Sequence, residues 1–148
     1  MATSEERFAH GIELMRTMVG DEQADRAAAN QELPVKDVLG EFSDWAIENG
    51  PGFLLRRPGL SMRDKAIAML GVDIASLKSR SALQEHARLA LLNGVTSDEL
   101  YEICFLLVWY CGMPSVREAM GVIAEAIDEF QSTLEESGDE HDGRQASH

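Results

Sequence analysis

The stretch from Ser79 to Pro114, SRSALQEHARLALLNGVTSDELYEICFLLVWYCGMP, leaves the chain one local architecture, two helices joined by a tight turn. In the first, Leu83, His86, Ala87, Ala90 and Leu91 recur at helical spacing, which sets His86 on the buried side of an amphipathic helix. Asn93-Gly94 ends that helix, because glycine takes the left-handed conformation of a helix terminus at little cost. Thr96 or Ser97 caps the second, with Glu99 or Leu100 in its first turn. From Ile103 to Tyr110 the second helix is apolar on nearly every side, so neighbouring helices, another subunit or both must cover it. No run of alternating β-branched residues is long enough for a sheet, and 45% hydrophobic residues with 6% aromatics suit a core of Ala, Leu and Met. The expected fold is all-α, a single-domain bundle of about six to seven helices over residues 1–134. A tail without periodicity over residues 135–148, acidic and expected to be disordered, follows it.

The other helices follow from the same pattern. Ser4 is expected to cap the first, with Glu5 and Glu6 in its first turn, Phe8, Ile12, Met15 and Val19 as its stripe, and His10 off that stripe in solvent. Gly20 ends it, and residues 21–30 form a short exposed helix or connection. A third helix is expected to start at Pro34 and to carry Val35, Val38, Leu39, Phe42, Trp45 and Ala46 on one side, ending at Asn49-Gly50. Residues 50–60, GPGFLLRRPGL, mix turn formers, apolar side chains and two arginines. Such a segment reads equally as a packed loop at a pocket edge or as a plain connection with solvated arginines. Ser61 caps a helix from Met62 to about Leu77 with Ile67, Leu70, Gly71, Ile74 and Ala75 buried; Asp73 breaks its polarity and is expected in solvent, with Arg63 or Lys65 as the alternative partners. After Pro114 and Ser115, the stripe Val116, Ala119, Met120, Ile123, Ala124, Ile127 and Phe130 marks the last helix.

A formal charge of −13 repels phosphate backbones and anionic lipid surfaces, which argues against nucleic-acid or membrane partners. The acid excess is partly local, since no Lys or Arg lies between Arg117 and Arg144, so a pocket for an anion elsewhere is compatible with it. Cys104 and Cys111 are separated by roughly 10 Å of helix, too far for a disulfide. There is no CxxC, no zinc-type spacing and no apolar run long enough to span a membrane, and MATSEE is too acidic for a targeting peptide. These features point to a reducing cytoplasm. His141 and His148 lie in the tail and are not ligand candidates.

The order Arg57-Pro58-Gly59-Leu60-Ser61, Arg63, an apolar helix ending before His86, Asn93-Gly94-Val95-Thr96 with Glu99 and Glu102, then Tyr110-Cys111-Gly112-Met113-Pro114 resembles the carboxymuconolactone decarboxylase family. It is most similar to the γ-carboxymuconolactone decarboxylase branch. The resemblance runs from about Phe8 to Ile127 and takes in Gly40-Glu41-Phe42. It implies an all-helical subunit that assembles into trimers or hexamers, works in the breakdown of aromatic compounds and needs neither metal nor organic cofactor. The family's peroxidase-reducing branch carries a CxxC just before the histidine; Leu83-Gln84-Glu85-His86 has none, so that dithiol chemistry is not expected. Two departures weaken the substrate inference. Residues 48–55, ENGPGFLL, stand where a histidine and a tryptophan are expected, and Lys65 replaces an arginine, turning a bidentate clamp into a point charge.

Decarboxylation of a carboxymuconolactone sends electrons toward the lactone carbonyl and then requires a proton on carbon, so the substrate serves as its own electron sink. His86 is the candidate acid, as an imidazole that holds or releases a proton near neutral pH. Its structural alternative is a core histidine satisfied by a backbone carbonyl or a carboxylate such as Glu85, or Glu102 of a neighbour. Arg63, with Arg57 or Arg56 as alternates, is the candidate for the substrate carboxylate, which a guanidinium binds through two hydrogen bonds. Tyr110 is the candidate donor to an oxyanion, and Glu85 and Cys111 complete the candidate pocket. The expected partner is a small carboxylic acid, and the expected assembly a homo-oligomer. Two other readings use the same scaffold: a natural-product tailoring enzyme acting on a larger aromatic acid by isomerisation or decarboxylation, and a non-catalytic oligomeric binding protein.

Overall fold

The computed structural model describes residues 2–31, 38–76 and 79–145, with side chains through residue 135. Within them the chain is all-α: α1 (Ser4–Val19), α2 (Asp21–Gln31), α3 (Val38–Asn49), a π-helical turn (Gly50–Leu54), α4 (Met62–Ala75), α5 (Arg80–Leu92), α6 (Ser97–Cys111) and α7 (Met113–Gln145). The expected start at Pro34 and end at Leu77 lie outside the described residues. The chain divides into two compact units, residues 1–65 and 66–148.

In the first unit α1 packs against α2, α3 and the π-helical turn. Thr3, not Ser4, caps α1: its hydroxyl accepts from the Glu6 N–H while the Glu6 carboxylate accepts from the Thr3 N–H. Ser4 is thereby free to donate to Glu48 Oε2 at 2.6 Å, and Arg7 donates to the other oxygen of the same carboxylate. The Ser4 hydroxyl first, and the Arg7 guanidinium second, hold the Glu48 carboxyl below the usual carboxylate range. This tie between α1 and α3 therefore contributes at neutral pH and is lost as pH falls through that lowered value. Phe8, Ile12, Ala24 and Ile47 form the small core, with Met15, Ala27 and Ala28 against it. The approach of α1 to α3 is close enough that a Cβ on Gly11 would stand 2.6 Å from the Ile47 carbonyl oxygen.

The apolar side of α3 faces outward: Val38 is 81% exposed, Leu39 76%, Phe42 64% and Trp45 61%, whereas Gly40 and Ile47 are buried. Ala24 is the buried residue of α2, as a polar connection requires.

In the second unit α7 packs on α5 and α6. Leu83, Ala87, Leu89, Ala90, Leu100, Cys104, Val116, Ile123 and Ile127 are buried there, each large aliphatic side chain contributing about 1.5–3 kcal/mol. The α5–α6 turn follows the sequence expectation. Gly94 has φ 84°, its N–H donates to Leu91 O and that of Val95 to Ala90 O, and Thr96 caps α6 through a reciprocal bond with Glu99. The backbone of α7 stays helical to Gln145, and among its described side chains, which end at residue 135, Ile127 is the last that is buried.

Candidate active site

Burial on α4 runs through Ala66, Leu70, Asp73 and Ile74, so the carboxylate occupies a place in the stripe that an apolar residue would ordinarily fill. Asp73 is 6% exposed, and among the described residues it is the buried charged side chain of the protein. The expectation that it lies in solvent, or meets Arg63 or Lys65, is thus corrected. A carboxylate here is out of water and in the last turn of a helix, at the negative end of its dipole, and both placements are unfavourable without a donor. The donor comes from α5. His86 Nδ1 lies 2.5 Å from Asp73 Oδ2. Ser79 caps α5 by accepting from the Ala82 N–H, and Leu83 and Ala87 pin the helix, which fixes the ring against α4.

Against an ionised Asp73, which can only accept, Nδ1 is the donor of this bond and Nε2 is the nitrogen left to exchange a proton with something else. With 23% of its side chain exposed against 6% for Asp73, the His86 ring is the more accessible of the two to solvent or ligand. A buried acid that orients an accessible imidazole is an arrangement suited to proton transfer. The carboxylate partner that the sequence leaves open as Glu85 or Glu102 is Asp73.

A cleft of about 110 Å³ opens on the carboxylate side, lined by Asp73, Arg80, Leu83, Ser115 and Glu118 among others. His86 is not among its walls, and the volume falls below the roughly 300 Å³ at which small-molecule sites begin. It is an opening onto Asp73 and not a substrate chamber.

The remaining candidates of this unit do not gather around His86 by hydrogen bonds. Glu85 is half-buried on α5, Cys111 is a half-buried free thiol at the end of α6, and Tyr110 is 75% exposed beside Trp109 at 88%. In the first unit, Arg63 is half-buried in the first turn of α4, and Arg57 is exposed with its guanidinium 5.9 Å from the centre of the Phe53 ring. Lys65 does not face a ligand: its Nζ donates to the carbonyls of Leu55, at 2.7 Å, and Arg57. His10, expected in solvent, is half-buried and lines a cleft with Arg7, Arg56 and Arg57.

Residues 44–125 match the carboxymuconolactone decarboxylase family, a span that holds Asp73 and His86. A nitrosuccinic acid decarboxylase of Metarhizium robertsii is 31% identical over 123 residues, 83% of this chain and 82% of the relative. A 4-carboxymuconolactone decarboxylase of Acinetobacter baylyi is 27% identical over 126 residues, 85% of this chain and 90% of the relative. With a family match across more than half its length and a relative 31% identical over 83% of the chain, the chain belongs to the carboxymuconolactone decarboxylase family.

Proposed function

We propose that this chain is a carboxy-lyase that removes CO₂ from a small organic acid, with His86 as the acid that protonates the resulting carbanion and Asp73 as the group that positions it. That it is a carboxy-lyase rests on the family and on two relatives that are both decarboxylases. The role of the dyad rests on one observation, the 2.5 Å contact between a buried Asp73 and a partly exposed His86.

The chemistry balances without a further reagent. The C–CO₂ bond breaks and its electron pair moves into an acceptor conjugated with the α-carbon, such as an unsaturated lactone carbonyl or a nitro group. Imidazolium Nε2–H gives its proton to carbon, Asp73 stabilises the cation while it exists, and solvent restores the proton. Net consumption is one proton per CO₂ released. Arg63 and Arg57 are the candidates to hold a substrate carboxylate, and Tyr110 the candidate oxyanion donor. The favoured substrate is a small cyclic lactone acid of the kind the Acinetobacter relative takes, as in aromatic breakdown. Cys104 and Cys111 are free thiols, which suits a reducing cytoplasm, and no helix among the described residues is long and apolar enough to cross a membrane.

The Metarhizium relative supports a second reading, an open-chain acid activated by a nitro group. CO₂ release from γ-carboxymuconolactone and from nitrosuccinate, each followed with purified protein, tests both. Turnover of either substrate bears out the carboxy-lyase and names the class. Inertness of a folded protein toward both contradicts the proposed substrates.

A further inference from the structure

The first unit contains a cleft of about 530 Å³, well within the range of small-molecule sites. Arg7, His10, Arg56 and Arg57 line it and, among the described residues, no carboxylate does, in a chain whose net charge is −13.

The charges in it are not equivalent. Arg7 is committed to Glu48, through Nε at 3.1 Å and through Nη2. Arg56 and Arg57 are exposed, and neither is ion-paired among the described residues. Phe53 lies within 6.0 Å of both the Arg7 and Arg57 guanidinium carbons, a cation–π distance, and so orients the Arg57 fork while leaving its N–H edge available. Buried Gly52 makes the wall possible: a Cβ there would stand 2.1 Å from the Arg7 carbonyl oxygen. Beneath the loop, the Lys65 ammonium ties down the carbonyls of Leu55 and Arg57, on either side of Arg56.

We propose that this cleft binds an organic carboxylate through the Arg56 and Arg57 guanidiniums, with Lys65 as the residue that positions their loop. The walls beside the guanidiniums are Phe53, Pro58 and Gly52, a carbon surface suited to the body of an organic acid, where a bare phosphate would seek a cradle of backbone N–H groups. The proposal extends the role given above to Arg57 but does not need the Asp73–His86 pair. Lys65, which reads in the sequence as a weakened ligand clamp, acts one step back by holding the forks in place.

Isothermal titration of the full-length chain with succinate tests the site. The expected result is saturable binding that weakens roughly tenfold or more in the Arg56→Gln/Arg57→Gln double variant, since two charge-assisted bonds are lost. Lys65→Met weakens it as well and Lys65→Arg, which can still donate to both carbonyls, restores it. Circular dichroism confirms the fold of each variant. Absence of succinate binding, undiminished binding in the double variant, or binding of inorganic phosphate in place of succinate overturns the proposal. Because succinate binding is read without turnover, failure of the chemistry and failure of the carboxylate site are read separately.

Discussion

At the scale of single residues, the most informative side chain is one that a pattern of hydrophobic spacing assigns to solvent. Asp73 follows Leu70 by three positions and precedes Ile74, so its place on the buried face was open to reading, but an acid near the end of a helix is far more often solvated. What decides the matter is a partner thirteen residues on, and tertiary pairing leaves no mark in either helix alone. His86 itself is legible, because a histidine inside an apolar stripe at Leu83 and Ala87 has few polar neighbours to satisfy it. Ser4 and Lys65 show the same limit. A serine before two glutamates reads as a cap until Thr3 is seen to complete the reciprocal bond with Glu6, and a lysine reads as a ligand until its ammonium is seen on two carbonyls of its own chain.

At the scale of elements, α6 carries two thiols in contrasting settings. Burial pushes the Cys104 thiol up to about 11, while Cys111 is half-buried at the helix end. A maleimide at pH 7.5 is expected to label Cys111 in the native protein and Cys104 only after unfolding; rapid native labelling of Cys104 would show that α6 is not packed as described. The sign of the linkage agrees: the folded state retains the Cys104 proton more strongly, so its contribution is intact below about 9 and diminishes as pH rises toward about 11. Helix boundaries were legible where a backbone requirement sets them, as at Gly20, Gly94 and Gly112, all with positive φ. Which face of a helix is covered was less so. The stripe of α3 satisfies every criterion for a core face, yet Val38, Leu39, Phe42 and Trp45 are exposed, because periodicity identifies an apolar face without saying what covers it.

At the scale of the whole molecule, that exposed surface is the main departure from a self-sufficient fold. Phe105, Leu106, Trp109, Tyr110 and Met113 are each more than 60% exposed on and after α6, in addition to the four residues of α3. Surfaces of this kind on a folded chain are ordinarily covered by another chain, and self-association into a homo-oligomer, a trimer or a hexamer, is the proposed arrangement. Sedimentation at micromolar concentration is expected to show a stable oligomer that Trp109→Glu shifts toward the monomer; a parent monomer would contradict this. The all-α class and the family were thus accessible from sequence, and the pairing of Asp73 with His86 was not.

Asp73 and His86 are proposed to act as one proton-transfer unit. The most direct test is kcat for CO₂ release from whichever of γ-carboxymuconolactone and nitrosuccinate the parent turns over, measured for His86→Gln, Asp73→Asn and the double variant with folding checked by circular dichroism. If the two act in one step, His86→Gln loses about 10²–10⁴-fold, Asp73→Asn loses less, and the double variant is no slower than His86→Gln alone. Parental kcat in a folded His86→Gln protein would contradict it and return Asp73–His86 to a purely structural contact between α4 and α5.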